Sequence, residues 1–178
     1  MIILGIDPGT LCTGFGIIKF TNNQLFHVAS GIIKPPAKKN ITARLKTIYD
    51  QIDKVIKTYK PDEFSIETAF YGKNIQSALK IGYARGVSLL VASHNNLEPG
   101  EYSPREIKKS VVGNGAASKE QVQYMIKKLL ALKSTKMKFD ESDAVAVAIC
   151  HAFKMNSIKK KSSTWKEFVE SNPDRIIS

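Results

Sequence analysis

Residues 1–20 read MIILGIDPGTLCTGFGIIKF. An apolar, β-branched run from Ile2 closes on Asp7, and Pro-Gly-Thr follows at once. Such a run before a turn signal reads as a buried strand. A carboxylate at its end is costly unless it is paired, hydrogen-bonded or bound to a cation. "TGFGIIKF" then resumes as a second strand, and Asn22-Asn23 turns the chain into a third near Leu25 to Ile33. Two hairpins in succession make the sheet begin antiparallel.

Beyond that opening the periodicity changes. From Ile41 to Tyr59, Leu45, Ile48, Ile52, Val55 and Ile56 recur at helical spacing, and Pro61 ends the helix. "DEFSIE" is a fourth strand ending on Glu67. A long helix follows from about Asn74 to His94, rich in small residues that permit close packing in the core or against another subunit. "GEYSP" is a fifth strand, with Pro104 placed for the first turn of a helix. Ser118 and Gln121 form a capping box for the next helix. A last helix starts near Asp140 and passes Ala152. The expected fold is α/β: a mixed five-stranded sheet flanked by helices, with right-handed crossovers and parallel later strands. One domain is expected over 1–156, followed by a Lys-rich, flexible tail over 157–178.

Composition narrows the function. Of 178 residues, 27 are Lys or Arg and 16 are Asp or Glu, a net charge of +11. That surplus favours a polyanionic partner such as nucleic acid. No apolar run reaches membrane-helix length, and no signal peptide is read. Cys12 and Cys150 are too few for a disulfide framework and lack metal-site spacing, so a cytoplasmic setting is expected.

Four acids break the apolar pattern. Asp7 and Glu67 end strands. Asp140 and Asp143 stand three apart at the start of "FDESDAVAVAICHA", so they share a helix face. Asp140 alone is also a good helix-start residue. Glu141, one position on, should face away. If strand ends and helix start converge, the clustered carboxylates repel one another and call for divalent cations. Oxygen-only ligands suit Mg²⁺ or Mn²⁺. Two such ions about 3.5–4 Å apart can activate water and stabilise a leaving phosphodiester oxygen. Neither cysteine has a His/Asp constellation to make it a nucleophile. His151 could approach the acids, but a structural role suits it better; His27 and His94 carry no signal.

"LGIDPGTLCTGFGII", "FSIETAFYGKNIQSALKIGYARGV", "YSPREIKKSVVGNGAASKEQVQYMI" and "DESDAVAVAICH" together resemble the RuvC family of Holliday junction resolvases, over residues 1–153. The resemblance implies a ribonuclease H-like fold and a homodimer that nicks opposing strands of a four-way junction, leaving 5′-phosphate and 3′-hydroxyl ends. It implies Asp7, Glu67, Asp140 and Asp143 as catalytic metal ligands. Some relatives carry His at the last position; Asp143 keeps this set all-oxygen. It matches Lys108 and Lys119 to basic positions important for cleavage and Phe70 to a base-stacking residue. It also implies work alongside the RuvAB branch-migration complex. From the sequence itself, Arg105, Lys108 and Lys119 flank the Gly113–Gly115 loop, where amides and ammonium groups could hold phosphates. Lys109 reads better as a solvated position.

Three rivals share features with this reading. An actin-like or sugar-kinase-like ATPase also begins with a strand ending in Asp before a hairpin, but it needs a second domain and lacks the DESD helix. A non-catalytic nucleic-acid-binding module would not need all four acids. A ribonuclease H-like nuclease with another substrate would keep them all.

Overall fold

The computed structural model describes residues 1–68, 75–132 and 137–161, with 158–161 as backbone only. Its elements are β1 (Ile2–Asp7), β2 (Thr13–Thr21), β3 (Gln24–Ile33), α1 (Ile41–Tyr59), β4 (Glu63–Glu67), α2 (Ile75–His94), β5 (Pro99–Tyr102), α3 (Pro104–Val112), α4 (Lys119–Leu129) and α5 (Phe139–Lys161). The sheet order is β3-β2-β1-β4-β5. β1 pairs antiparallel with β2 and parallel with β4, and β5 is parallel to β4, so the mixed sheet expected from the sequence is the one observed. α5 carries helix through Lys161, across the expected boundary at 156. Among the described residues no helix is long and apolar enough to cross a membrane.

The sheet separates two cores. Leu4, Ile6, Ile17, Phe64 and Ile66 pack against α1 and α2. Ile3 and Ile18 pack against α3, α4 and α5. Alternation along β1 therefore puts Ile3, Gly5 and Asp7 on the α5 side. On β4 the same alternation puts Glu63, Ser65 and Glu67 there. Ser65 Oγ, fully buried, donates to the Leu4 carbonyl at 3.1 Å, which satisfies the polar group between the two strands.

The middle of α5 is apolar all round, and Ala144 to Cys150 are wholly inaccessible to solvent, as befits a segment covered on every side. It lies almost on the strand backbone. A Cβ on Gly5 would stand 2.2 Å from the Ala144 carbonyl oxygen, and one on Gly14 would stand 1.9 Å from that of Asp140. Glycine at these strand positions is what admits the helix. The helix start is thereby held over the C-terminal ends of β1 and β4.

Capping fixes α3 and α4. Ser103 and Glu106 form a capping box at α3, one the sequence reading did not identify, and Ser118 and Gln121 form the expected box at α4. Gly113 ends α3 at φ 85°, and its N–H donates to the Lys109 carbonyl at 2.9 Å. The Gly113–Gly115 stretch is thus the turn that folds α4 back beside α3.

Candidate active site

Ile6 and Ile66 are register partners across β1 and β4, so Asp7 and Glu67 follow side by side at the strand ends. Asp143 reaches the same place from the second turn of α5. These three carboxylates line one cavity of about 220 Å³, together with Pro104, Ile107, Lys108, Lys119, Val122 and Ala146. Strand ends, α3, α4 and α5 each supply part of the wall.

The cavity concentrates negative charge. Burial, followed by the charges of Glu67, Asp143 and Asp140, pushes the Asp7 carboxyl up to about 8. Burial and then Asp143 push Glu67 up to about 7. Lys119 opposes both shifts, and Lys108 opposes that of Glu67. Asp140 does not line the cavity; it lies one turn before Asp143 and acts on Asp7 through its charge. Both α5 acids sit near a helix N-terminus, whose dipole favours carboxylates.

Lys119 is the first residue of α4, and its Nζ lies 2.8 Å from Asp143 Oδ2. Among the described residues no group of three or more His, Cys, Asp and Glu side chains is already gathered into a ligand shell. The donor set nonetheless fits a hard divalent cation. It is all carboxylate oxygen, and two of its members are half-buried acids whose ionised form lacks sufficient positive charge nearby.

The turn after Asp7 is tied from two directions. Thr13 Oγ1 donates to the Gly9 carbonyl at 2.7 Å, and Arg44 of α1 donates through Nε at 3.0 Å and through Nη2 to the Thr10 carbonyl. Arg44 was not legible as part of this region, because nothing local links α1 to the first hairpin. The α5 glycine contacts did leave a sequence signal: Gly5 and Gly16 are cross-strand partners, with Gly14 on the same face.

Other expected residues fall elsewhere. Arg105 is exposed and packs on Gly115, outside the cavity. Phe70 lies outside the described residues. Glu141 faces away as expected, accepting from Ser30 Oγ at 2.7 Å. Cys12 sits beside Asp140; burial, then that neighbour, push its thiol up to about 11, which keeps it protonated and unreactive. His151 is buried between Tyr102, whose hydroxyl is 2.9 Å from Nδ1, and Glu63, 3.5 Å from Nε2. Glu63 begins the strand that Glu67 ends, so His151 stands at the opposite end from the cavity.

Residues 3–151 match the family described as Crossover junction endodeoxyribonuclease RuvC. The chain is 46% identical to the RuvC of Chloroherpeton thalassium over 99% of this chain and 100% of that protein. It is 48% identical to that of Francisella philomiragia over 90% of this chain and 92% of that one. The structure of Thermus thermophilus RuvC in complex with Holliday junction substrate is similar at a TM-score of 0.83 and 26% identity, covering 88% of this chain and 96% of that chain. The yeast mitochondrial Holliday junction resolvase Ydc2 shares the fold at a TM-score of 0.66 and 12% identity, over 93% and 85% of the two chains. The ribonuclease H-like fold expected from the sequence is therefore the one observed.

Proposed function

The chain belongs to the crossover junction endodeoxyribonuclease RuvC family, and from that membership we propose that Asp7, Glu67, Asp140 and Asp143 hold the divalent cations of its nuclease centre. The protein is an endonuclease that resolves four-way DNA junctions in recombination and repair. The observation that carries the site assignment is the meeting of Asp7, Glu67 and Asp143, from two strands and a helix, in a cavity shared with Lys108 and Lys119.

Mg²⁺ is the proposed ion, with Mn²⁺ able to replace it and two ions bound during cleavage. Bound there, they would activate water and stabilise the leaving 3′-oxygen, so that the ends are 5′-phosphate and 3′-hydroxyl. The chain's own residues do the rest. Asp7 and Glu67 present their carboxylates from rigid strand ends, where a position is held more closely than on a loop. Asp140 and Asp143 add charge from a helix that the glycine contacts lock in place. Lys108 and Lys119 would hold the scissile phosphate against the acids, and Lys119 must exchange Asp143 for that phosphate as DNA arrives. Half-buried acids that resist ionisation favour cation entry as pH rises, because each bound ion displaces protons.

Phe70 is proposed to stack on an unpaired base, and Arg105 to contact the DNA backbone from outside the cavity. A homodimer suits the substrate, since a two-fold junction presents two strands for paired, symmetric nicks. The exposed Ile75, Leu79, Tyr83 and Leu90 of α2 support that reading as an apolar surface available to a second subunit. We extend the reading to a cytoplasmic protein that works with the RuvAB motor.

The test is cleavage of a synthetic mobile four-way junction with Mg²⁺ and with EDTA, beside linear duplex and RNA–DNA hybrid. Paired symmetric nicks in the junction alone, lost with EDTA, are expected. Cleavage of the hybrid would keep the metal chemistry and move the substrate. Tight junction binding without cleavage under any metal would refute the assignment of the four acids.

A further inference from the structure

The geometry points to Phe139 as a base-stacking residue beside Lys119, next to this cavity, one that receives the unpaired nucleobase of the nucleotide whose phosphate Lys119 holds. The inference rests on the reading of the cavity as a DNA nuclease centre. Phe139 opens α5 and directly precedes Asp140. Its side chain is 42% exposed and belongs to neither hydrophobic core. Its neighbour Met137 does the packing there, lying against the core beneath α3 and α4. The ring is therefore open to a ligand on the side of the acidic cavity where Lys119 stands.

The backbone that carries the ring is tied on both sides. Gln123 Nε2 donates to the Met137 carbonyl at 2.9 Å. Ser142 N donates to the Lys138 carbonyl and Ser142 Oγ to the Phe139 carbonyl, each at 2.9 Å. The ring is therefore presented by a fixed frame, which lowers the ordering cost of stacking.

Lys119 links the ring to the chemistry. Its Nζ stands 6.0 Å from the Phe139 ring centroid and 2.8 Å from Asp143 Oδ2. A phosphate taken up by that ammonium lies within one nucleotide's reach of the ring. The base attached to it, once unstacked at the distorted branch point, meets an aromatic face rather than water. Phe offers no hydrogen bond, so the contact tolerates any base. Its role is to hold the flanking nucleotide out of the duplex while the acids and cations act on the phosphate.

Junctions carrying 2-aminopurine at each nucleotide flanking the scissile phosphate, bound in EDTA, provide the test, together with cleavage rates in Mg²⁺ and thermal unfolding of each variant. Stacking should quench the probe at one flanking position in the wild-type protein and in Phe139→Tyr. Phe139→Ala and Phe139→Leu should lose that quench and about 5- to 150-fold in junction affinity or cleavage, with thermal stability unchanged. Full quench and cleavage in Phe139→Leu would show that apolar cover suffices and would overturn the proposal. So would wild-type behaviour in Phe139→Ala while the wild-type protein cleaves. A wild-type protein that neither quenches the probe nor cleaves would overturn the nuclease reading with it.

Discussion

Lys119 Nζ and Asp143 Oδ2 stand 2.8 Å apart, joining the first residue of α4 to the second turn of α5 across the mouth of the acidic cavity. The pair is partly exposed, so its own contribution to stability is small, below about 1 kcal/mol. Its consequence is electrostatic: Lys119 counters the mutual repulsion of Asp7, Glu67 and Asp143.

Lys119→Ala should flatten the dependence of log affinity on log salt by about one unit, as expected when one phosphate contact is removed. It should also lower the melting temperature of the ion-free protein more at pH 8 than at pH 6, because the acids are then ionised without their counter-charge. A salt titration with an unchanged slope would place Lys119 outside the DNA contact.

Asp7 has its folded pKa raised from 3.8 to about 8, chiefly by burial. The native state keeps a proton that the unfolded chain releases near pH 4. Stability from this group is complete below that point and is lost as pH rises through 8. Thermal unfolding in EDTA should therefore show Tm falling across this window, and Asp7→Asn should flatten the fall and raise Tm at pH 8. The same variant should bind the junction and not cleave it. An equally steep pH dependence in Asp7→Asn would mean that other groups govern it.

His151 behaves in the opposite sense. Burial lowers its pKa, against the pull of Glu63. A depressed pKa contributes stability that is present above 6.5 and is lost as pH falls through the folded value. His151→Gln should remove part of the acid-side loss of stability, cost about 1–3 kcal/mol at neutral pH from disturbed burial, and leave the cleavage rate of folded protein unchanged. A changed pH–rate profile would bring His151 into the reaction after all.

Gly14→Ala tests how closely α5 must approach the sheet. The added methyl would collide with the Asp140 carbonyl oxygen at 1.9 Å, so the helix start has to shift. About 1–3 kcal/mol of destabilisation is expected from overpacking. Cleavage at saturating Mg²⁺ should fall further than the folded fraction does, since Asp140 and Asp143 move with the helix. Activity that simply tracks the folded fraction would show that the approach serves packing alone.

Much of this molecule was readable in one dimension. The Asp7 strand and its hairpin, the strand ending on Glu67, the capping box at Ser118 and the apolar helix after Asp143 all have local causes: alternation, a Pro-Gly turn, a side chain that bonds its own backbone. The spacing of Asp140 and Asp143 was enough to put them on one helix face. The neighbours that tune the site were not readable, because they come from distant segments. Nothing near Thr10 announces Arg44, and nothing near Lys119 announces Asp143. The Gly113–Gly115 loop read as a phosphate cradle, yet its first glycine is the left-handed cap that ends α3.

The sequence by itself determined the elements and their order, and it marked four acids as out of place in an apolar pattern, because strand alternation, helix periodicity and the cost of burying a carboxylate act within a few residues. Only the tertiary structure decided that Asp7 and Glu67 stand side by side, that Asp143 shares their cavity while Asp140 lies at its edge, and that Lys119 counters them. Those relations depend on β1–β4 register and on a helix lying against glycine backbone, and both are set by packing between residues far apart in the chain.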